Sequence, residues 1–544
     1  MRKIGLLKKK KNGIFEVLKS NKNSYDLISN FSKKGPSPEK LEIFNNLFFS
    51  VAEQMGEVLK NTAQSINVKE RMDFSCALFN FNGDLIANAP HIPIHLGAMS
   101  DTIKYLIRNH KSKFLNGETL LHNDPYSGGT HLPDLTVVKP FLNKKKNKIL
   151  FFLANRAHHS DVGGITPGSM PAFSKSIYEE GIIFNGFSLL RNDKINEKQI
   201  IKEFRKTNFP SRDPEQNLND IKAQIASCNK GIIELEKIIS SYSLENVNKY
   251  VSYIKDNCTE VIYKIIKKIP ISEFQCRLDN NALIKAKIDF NSKNNKLTVD
   301  FSQSSKILKN NFNTPTAVTK SVVIYFLRTL IQDNLPLNEG ALKDIEIRFS
   351  ENSMLNPKYP SPVVAGNVET SQTLIDVLNG ALEIQAACYG TMSNITFGDR
   401  NFGYYETICG GEGASKGNNG TDSVHCHMTN TSITDAEILE WNYPVRLMKF
   451  CIRKNSKGLG KWNGGNGSSR EIMFLKNLDV TILSNRRKVA PFGLKGGNYG
   501  KVGINILKGK GFYKKLPSSC QLKVKPGNSI IINTPGGGGF GKAK

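Results

Sequence analysis

Two apolar, β-prone runs, DLTVVKPFL (134–142) and ILFFLANR (149–156), flank the polar loop NKKKNK (143–148). This pairing constrains the fold more than any other feature, because strands so close in sequence join antiparallel. A hairpin across that loop sets Asp134 opposite position 157 and His131 near position 160. With strands about 4.8 Å apart, both side chains then come close to His158 in ANRAHHSD (154–161). A register slip of one or two residues would exchange His158 for His159 without separating the groups. Two imidazoles and a carboxylate suit a borderline divalent ion with open positions, such as Mn, Fe or Zn. A lone histidine is read as a hydrogen-bonded core residue, but these are not alone. Of the nine histidines, all but His110 fall into four groups: His91 and His95, His122 and His131, His158 and His159, His425 and His427. Each group lies beside Gly, Pro, Asn or Asp, the residues of loops where sites are built.

The segment HCHMTNTSITDAEILEW (425–441) adds a second constellation. Read as extended chain, it puts His425, His427, Thr429 and Thr431 on one face, which makes the two histidines candidates for substrate or metal contact. Thr434 is the expected N-cap of the following helix, with Glu437 completing a capping box. Cys426 draws notice because it lies between the two histidines. The nine cysteines form no CxxC pair, which argues against a zinc ribbon and for reduced thiols.

Around these stretches the periodicity predicts a helix over 39–66, a hairpin at FSCALFNFNGDLIANA (74–89) through Asn82-Gly83, and mainly helix over 197–268. A further hairpin (ALIKAKIDF and KLTVDFS) and helices over 314–333 and 370–388 follow. After about residue 390 the chain is rich in glycine and strand. The expectation is a mixed α/β (α+β) fold with helical and hairpin N-terminal lobes and a Gly-rich, strand-rich C-terminal region. A basic leader (1–37) precedes a domain over 38–541, with sub-lobes at about 38–190, 191–335 and 336–541.

The net charge of +27 raises the question of nucleic acid, but Lys far outnumbers Arg and is spread through Asn-rich loops without interleaved aromatic residues. No apolar run approaches the roughly 18–20 residues that span a bilayer, and Ile4 to Leu7 is too short for a secretory core. A cytoplasmic protein is expected. The tail GGGGFGKA (536–543) nearly spells a P-loop, yet Ala543 stands where a hydroxyl should hold Mg²⁺ and no helix follows. GKWNGGNGSSR (460–470) and PFGLKGGNYGK (491–501) read as tight turns, and CGGEGA (409–414) as a possible backbone-donor loop.

Taken together, NVKERMDFSCALF, NAPHIPIHLGAMS, NDPYSGGTHLPDLTVVKPF, RAHHSDVGGITPGSMP, GNVETSQTLIDVLNGAL, YYETICGGEGA, HCHMTNTSITDAEILEW and NTPGGGGFG resemble the hydantoinase B/oxoprolinase family over Pro38 to Gly541. That family includes B subunits of ATP-dependent hydantoinases, the C-terminal half of 5-oxoprolinase, and a related acetone carboxylase subunit. The resemblance implies ATP-dependent opening of a cyclic amide, with 5-oxoproline favoured by residues 67–99. An A-type subunit or domain would bind ATP and phosphorylate the substrate oxygen, and the B-type part would complete hydrolysis. A fused 5-oxoprolinase would be about twice this length, so the ATP-binding half is expected on a partner. In the acetone carboxylase relatives the B-type part holds a metal, and the matching positions here are His131, Asp134 and His158. His159 and Asp161 would orient those ligands and assist catalysis, while Asp73 and Glu70, beside Arg71, are candidate substrate-carboxylate or subunit contacts, or a surface ion pair. The alternatives are a carboxylase component using the same site and a non-catalytic basic scaffold or nucleic-acid-binding protein.

Overall fold

The hairpin forms, but its register is not uniform. In the computed structural model, Asp134–Asn143 and Lys148–His158 pair antiparallel. Beside the turn, Asn143 faces Lys148 and Leu142 faces Ile149. The next pair is Phe141 with Phe151, so Leu150 is an extra residue on the second strand, a β-bulge. Beyond it Asp134 faces His158, one position further than an unbroken register allows. The structure describes residues 36–95, 97–331 and 338–543, with the backbone of two short paired strands, Leu6–Lys9 and Phe15–Leu18. The rest of the expected leader lies outside the described residues.

The two strands are the centre of a seven-stranded antiparallel sheet. Its order is Leu85–Asn88, Phe74–Asn80, Lys148–His158, Asp134–Asn143, Thr119–His122, Phe187–Arg191 and Lys194–Ile195. Their near-continuous burial means that both faces are covered. Leu135, Val137, Phe151 and Leu153 pack toward the helices Pro38–Thr62 and Pro214–Tyr242, while Val138, Phe152 and Ala154 pack toward Ala98–Leu115. The first helix buries the stripe Leu41, Phe44, Phe48, Val51, Met55 and Leu59 that its 3.6-residue period predicts, and Ser37 caps it by accepting the Lys40 N–H.

A second layer is a four-stranded sheet, Ser272–Arg277, Leu283–Asn291, Lys296–Asp300 and Ile345–Arg348, covered by Thr316–Thr329 and Ser371–Ala381. The last helix is buried on every side and follows a π-helical turn, Gly366–Thr370. It stops seven residues short of the expected 388, and Glu383 just beyond it takes a left-handed φ of 54°. In the C-terminal region the apolar sides of a four-stranded and a five-stranded sheet share one core.

The glycine-rich stretches are mainly not turns. Segments around 411–413, 464–465 and 536–539 lie side by side as irregular backbone, bonded amide to carbonyl: Gly465 N to Glu412 O (2.8 Å), Gly537 N to Gly465 O (2.9 Å), Gly538 N to Ala387 O (2.8 Å). A Cβ on Gly465 would lie 1.9 Å from Thr421 O, and one on Gly537 2.0 Å from Glu412 O. Glycine is required there for close approach, without a positive φ. Residues 536 through 541 each donate their amide to a carbonyl, so the glycine run has no free backbone N–H to cradle a phosphate. Among the described residues no helix is long and apolar enough to cross a membrane.

Candidate metal centre

Asp134 and His158 share a cross-strand pair at the open end of the hairpin. His131, one tight turn earlier, is tied in by the Asp134 N–H to His131 O bond (3.1 Å). The side chains converge: His131 Nδ1 is 2.8 Å from Asp134 Oδ2, and His158 Nδ1 is 3.2 Å from Asp134 Oδ1. All three are at least 98% buried. Such separations are hydrogen-bonding distances, so each Nδ1 serves the carboxylate and Nε2 is the ring nitrogen left for an ion. Both rings also leave Nε2 buried with no hydrogen-bond partner. An unmet buried polar atom costs about 1–3 kcal/mol, so the donor set fits a cation that would engage these rings.

Burial raises the Asp134 carboxyl, but the imidazoles of His131, His95 and His158 outweigh it and hold the group well below the usual carboxylate range. Burial lowers His95 and His158 despite that neighbour. A neutral His158 ring beside an ionised carboxylate is the form in which these two side chains bind metals.

The rest of the wall comes from distant parts of the chain. His95, on the short turn Pro93–His95, reaches Asp134 Oδ2 with Nε2 (3.2 Å) and Ser75 Oγ with Nδ1 (2.9 Å). The Asn367 amide nitrogen lies 3.0 Å from His131 Nδ1, and Tyr405 stacks on His158 with ring centres 4.3 Å apart. Sequence reasoning flagged His95 only as half of a histidine pair and missed Asn367 and Tyr405. A single strand end could not reveal partners 39, 236 and 247 positions away in sequence, His95 from Asp134, Asn367 from His131 and Tyr405 from His158.

His159 and Asp161 do not join the cluster. Neighbouring strand residues face opposite ways, and His159 turns to the helix Pro214–Tyr242, where Asn217 Nδ2 meets Nδ1 and Gln224 Oε1 meets Nε2, both at 3.1 Å. Asp161 accepts the N–H of Gly163 (2.8 Å) and Gly168 (2.9 Å) and pairs with Arg212 Nη1 (3.0 Å). Its contacts brace a loop. His425 and His427 do not share an extended face, because His427 is left-handed (φ 58°). His425 meets the Tyr389 hydroxyl (3.3 Å), whereas His427 turns toward Tyr325 and Asp376. Among their neighbours, Thr429 does line the first centre. Thr434 accepts the Tyr404 hydroxyl proton instead of capping, and Asp435 is the N-cap. His91 and His122 lie apart from the centre, against Phe74 and Tyr105 respectively.

Arg71 is not part of a surface pair: it is fully buried, donating to Tyr405 O (2.7 Å) and Thr407 Oγ1 (3.0 Å). Asp73 lines the same cavity as the three ligand candidates, and burial raises its carboxyl against the pull of His158 and Arg71.

The chain belongs to the hydantoinase B/oxoprolinase family, which matches residues 37–543. It is 43% identical over 540 residues to a 5-oxoprolinase of Dictyostelium discoideum, covering 97% of this chain and 42% of that protein. An uncharacterized protein of Methanocaldococcus jannaschii, MJ0963, is 37% identical over 520 residues and matches over 90% of its own length. The fold is shared with an ATP-dependent caprolactamase from Pseudomonas jessenii (TM-score 0.85, 22% identity, 94% of this chain and 92% of that one). The chain thus spans less than half the length of the 5-oxoprolinase it matches.

Proposed function

We propose that the chain is the B component of an ATP-dependent cyclic-amide hydrolase, acting on 5-oxoproline to give glutamate. The observation that carries this reading is the convergence of His131, Asp134 and His158 in a chain 43% identical to a 5-oxoprolinase. ATP would be bound by an A-type partner, which phosphorylates the amide oxygen and so converts it into a good leaving group. His131, Asp134 and His158 would hold a divalent ion, Mn, Zn or Fe by ligand type. When bound, that ion lowers the pKa of a water molecule toward about 7 and supplies a nucleophile at neutral pH.

The remaining steps belong to the chain's own side chains. His95, through Asp134, and Tyr405, stacked on His158, fix the carboxylate and the ring so that neither has to reorient during reaction. Asp73, kept toward its protonated form by burial, is placed to exchange a proton with the opening ring. The residues around the centre are buried, which keeps bulk water from the ligand set.

The test pairs the chain with an A-type partner and compares 5-oxoproline with hydantoins side by side. Coupled ATP hydrolysis and glutamate formation are expected. Turnover of hydantoins alone would refute the substrate assignment, and no coupled turnover of either would refute the class.

A further inference from the structure

A second cluster of metal-seeking side chains lies behind the first. One ligand atom each from Asp376, Cys388 and His427 lies within 4.8 Å of the other two. The residues are 0%, 1% and 8% exposed. Most of their hydrogen-bonding capacity is spent on holding them in place. Asp376 Oδ1 accepts the Cys388 N–H (3.0 Å) and Oδ2 accepts from Arg486 (3.1 Å), while the Gly413 N–H points at Cys388 Sγ (3.2 Å). On the other side of its ring, His427 Nδ1 sits 3.5 Å from the Tyr325 hydroxyl.

What is left over is His427 Nε2, buried with no oxygen or nitrogen partner and with the Cys388 thiol as its hydrogen-bonding neighbour. It lies 3.9 Å from Asp376 Oδ1, too far for a hydrogen bond. Two ligand atoms of a tetrahedral ion with bonds of about 2.0–2.3 Å sit roughly 3.3–3.7 Å apart, so a small contraction would seat both on one cation. The backbone supports the same conclusion. His427 is held at a φ of 58°, a conformation that costs a non-glycine residue on the order of 1–3 kcal/mol and persists where the surroundings demand it. Cys426 packs against Cys388 and is a further sulfur donor at hand.

We propose that Asp376, Cys388 and His427 bind a second divalent ion, of the borderline class that accepts thiolate together with imidazole and carboxylate, Zn²⁺ being the type. With Cys426 as a fourth ligand the buried site would be closed, as structural zinc sites are. Its place in the fold gives it a purpose. The three ligands come from the helix Ser371–Ala381, the loop after it, and the turn at His427. Neighbouring residues of those same segments, Val368, Met392 and Met428, line the first centre. The second ion would pin three separate segments together directly behind that wall. This inference does not depend on the function proposed for the first centre.

Cobalt separates the two sites, because only a site with a cysteine ligand gives a thiolate-to-cobalt charge-transfer band. The full chain, kept reduced and loaded with Co²⁺ alone, is expected to show that band. Cys388→Ser should lose it together with one cobalt per chain, and His131→Ala should keep it while losing the other cobalt. X-ray absorption at the cobalt edge of the unmutated protein needs no variant and should show a sulfur neighbour. A cobalt-loaded protein with no sulfur neighbour, as a bare thiolate–imidazolium pair would give, overturns the proposal. So does a band of undiminished intensity in Cys388→Ser.

Discussion

Asp134 carries more of the first centre than any other side chain, since His95, His131, His158 and Thr130 all direct a polar atom at its two oxygens. Replacing it with Asn keeps the shape and removes the charge. Asp134→Asn and His131→Ala should each lose bound divalent ion, measured by elemental analysis, while far-ultraviolet circular dichroism stays unchanged. A graded pair sharpens the point. His95→Ala removes a group that only orients a ligand, and metal affinity should fall about 10–100-fold. His159→Ala removes a ring whose two nitrogens both serve the helix Pro214–Tyr242. It should keep the metal and instead lose about 1–3 kcal/mol of stability in denaturant titration, because Gln224 Oε1 and one amide N–H of Asn217 lose their partner. Metal loss from His159→Ala with none from His95→Ala would reverse the assignment of these two residues.

At the level of elements, the sequence reveals whatever depends on short-range periodicity and hides whatever depends on tertiary contact. The hairpin over 134–158, the helix beginning at Pro38 and the hairpin at 74–88 are all legible, because alternation and the 3.6-residue period are local. The bulge at Leu150 has no signature of its own, so the register is off by one at the end that matters. Likewise, nothing in HCH announces that His427 turns left-handed and leaves the face of His425. The glycine segments mislead for the same reason: a glycine chosen for backbone approach looks identical in sequence to one chosen for a turn. Their role is testable. Gly537→Ala and Gly465→Ala would each force a Cβ to within 2.0 Å of a carbonyl oxygen and should cost about 3 kcal/mol or more. Gly511→Ala, where nothing lies within 4 Å and only a φ of 77° must be borne, should cost about 1 kcal/mol. Equal melting shifts for the three would contradict the close-approach account.

On the scale of the whole molecule, the centre lies where the end of the seven-stranded sheet meets the turn Gly366–Thr370, Tyr405 and the segment Met428–Thr429. Its lining is drawn from segments between Asp73 and Thr429, although the three ligand candidates all come from the single hairpin over 131–158. The division of labour proposed here also makes a prediction for the chain by itself. With the amides of residues 536 through 541 committed to carbonyls, calorimetry on the purified chain should detect no micromolar ATP binding. The most direct test is a coupled assay with the A-type partner, in which ATP consumed and glutamate formed from 5-oxoproline are counted together. The unmutated chain should give glutamate in step with ATP hydrolysis, and Asp134→Asn should abolish glutamate formation while still assembling with the partner. Undiminished glutamate formation by Asp134→Asn, or ring opening by the partner alone, would contradict the account.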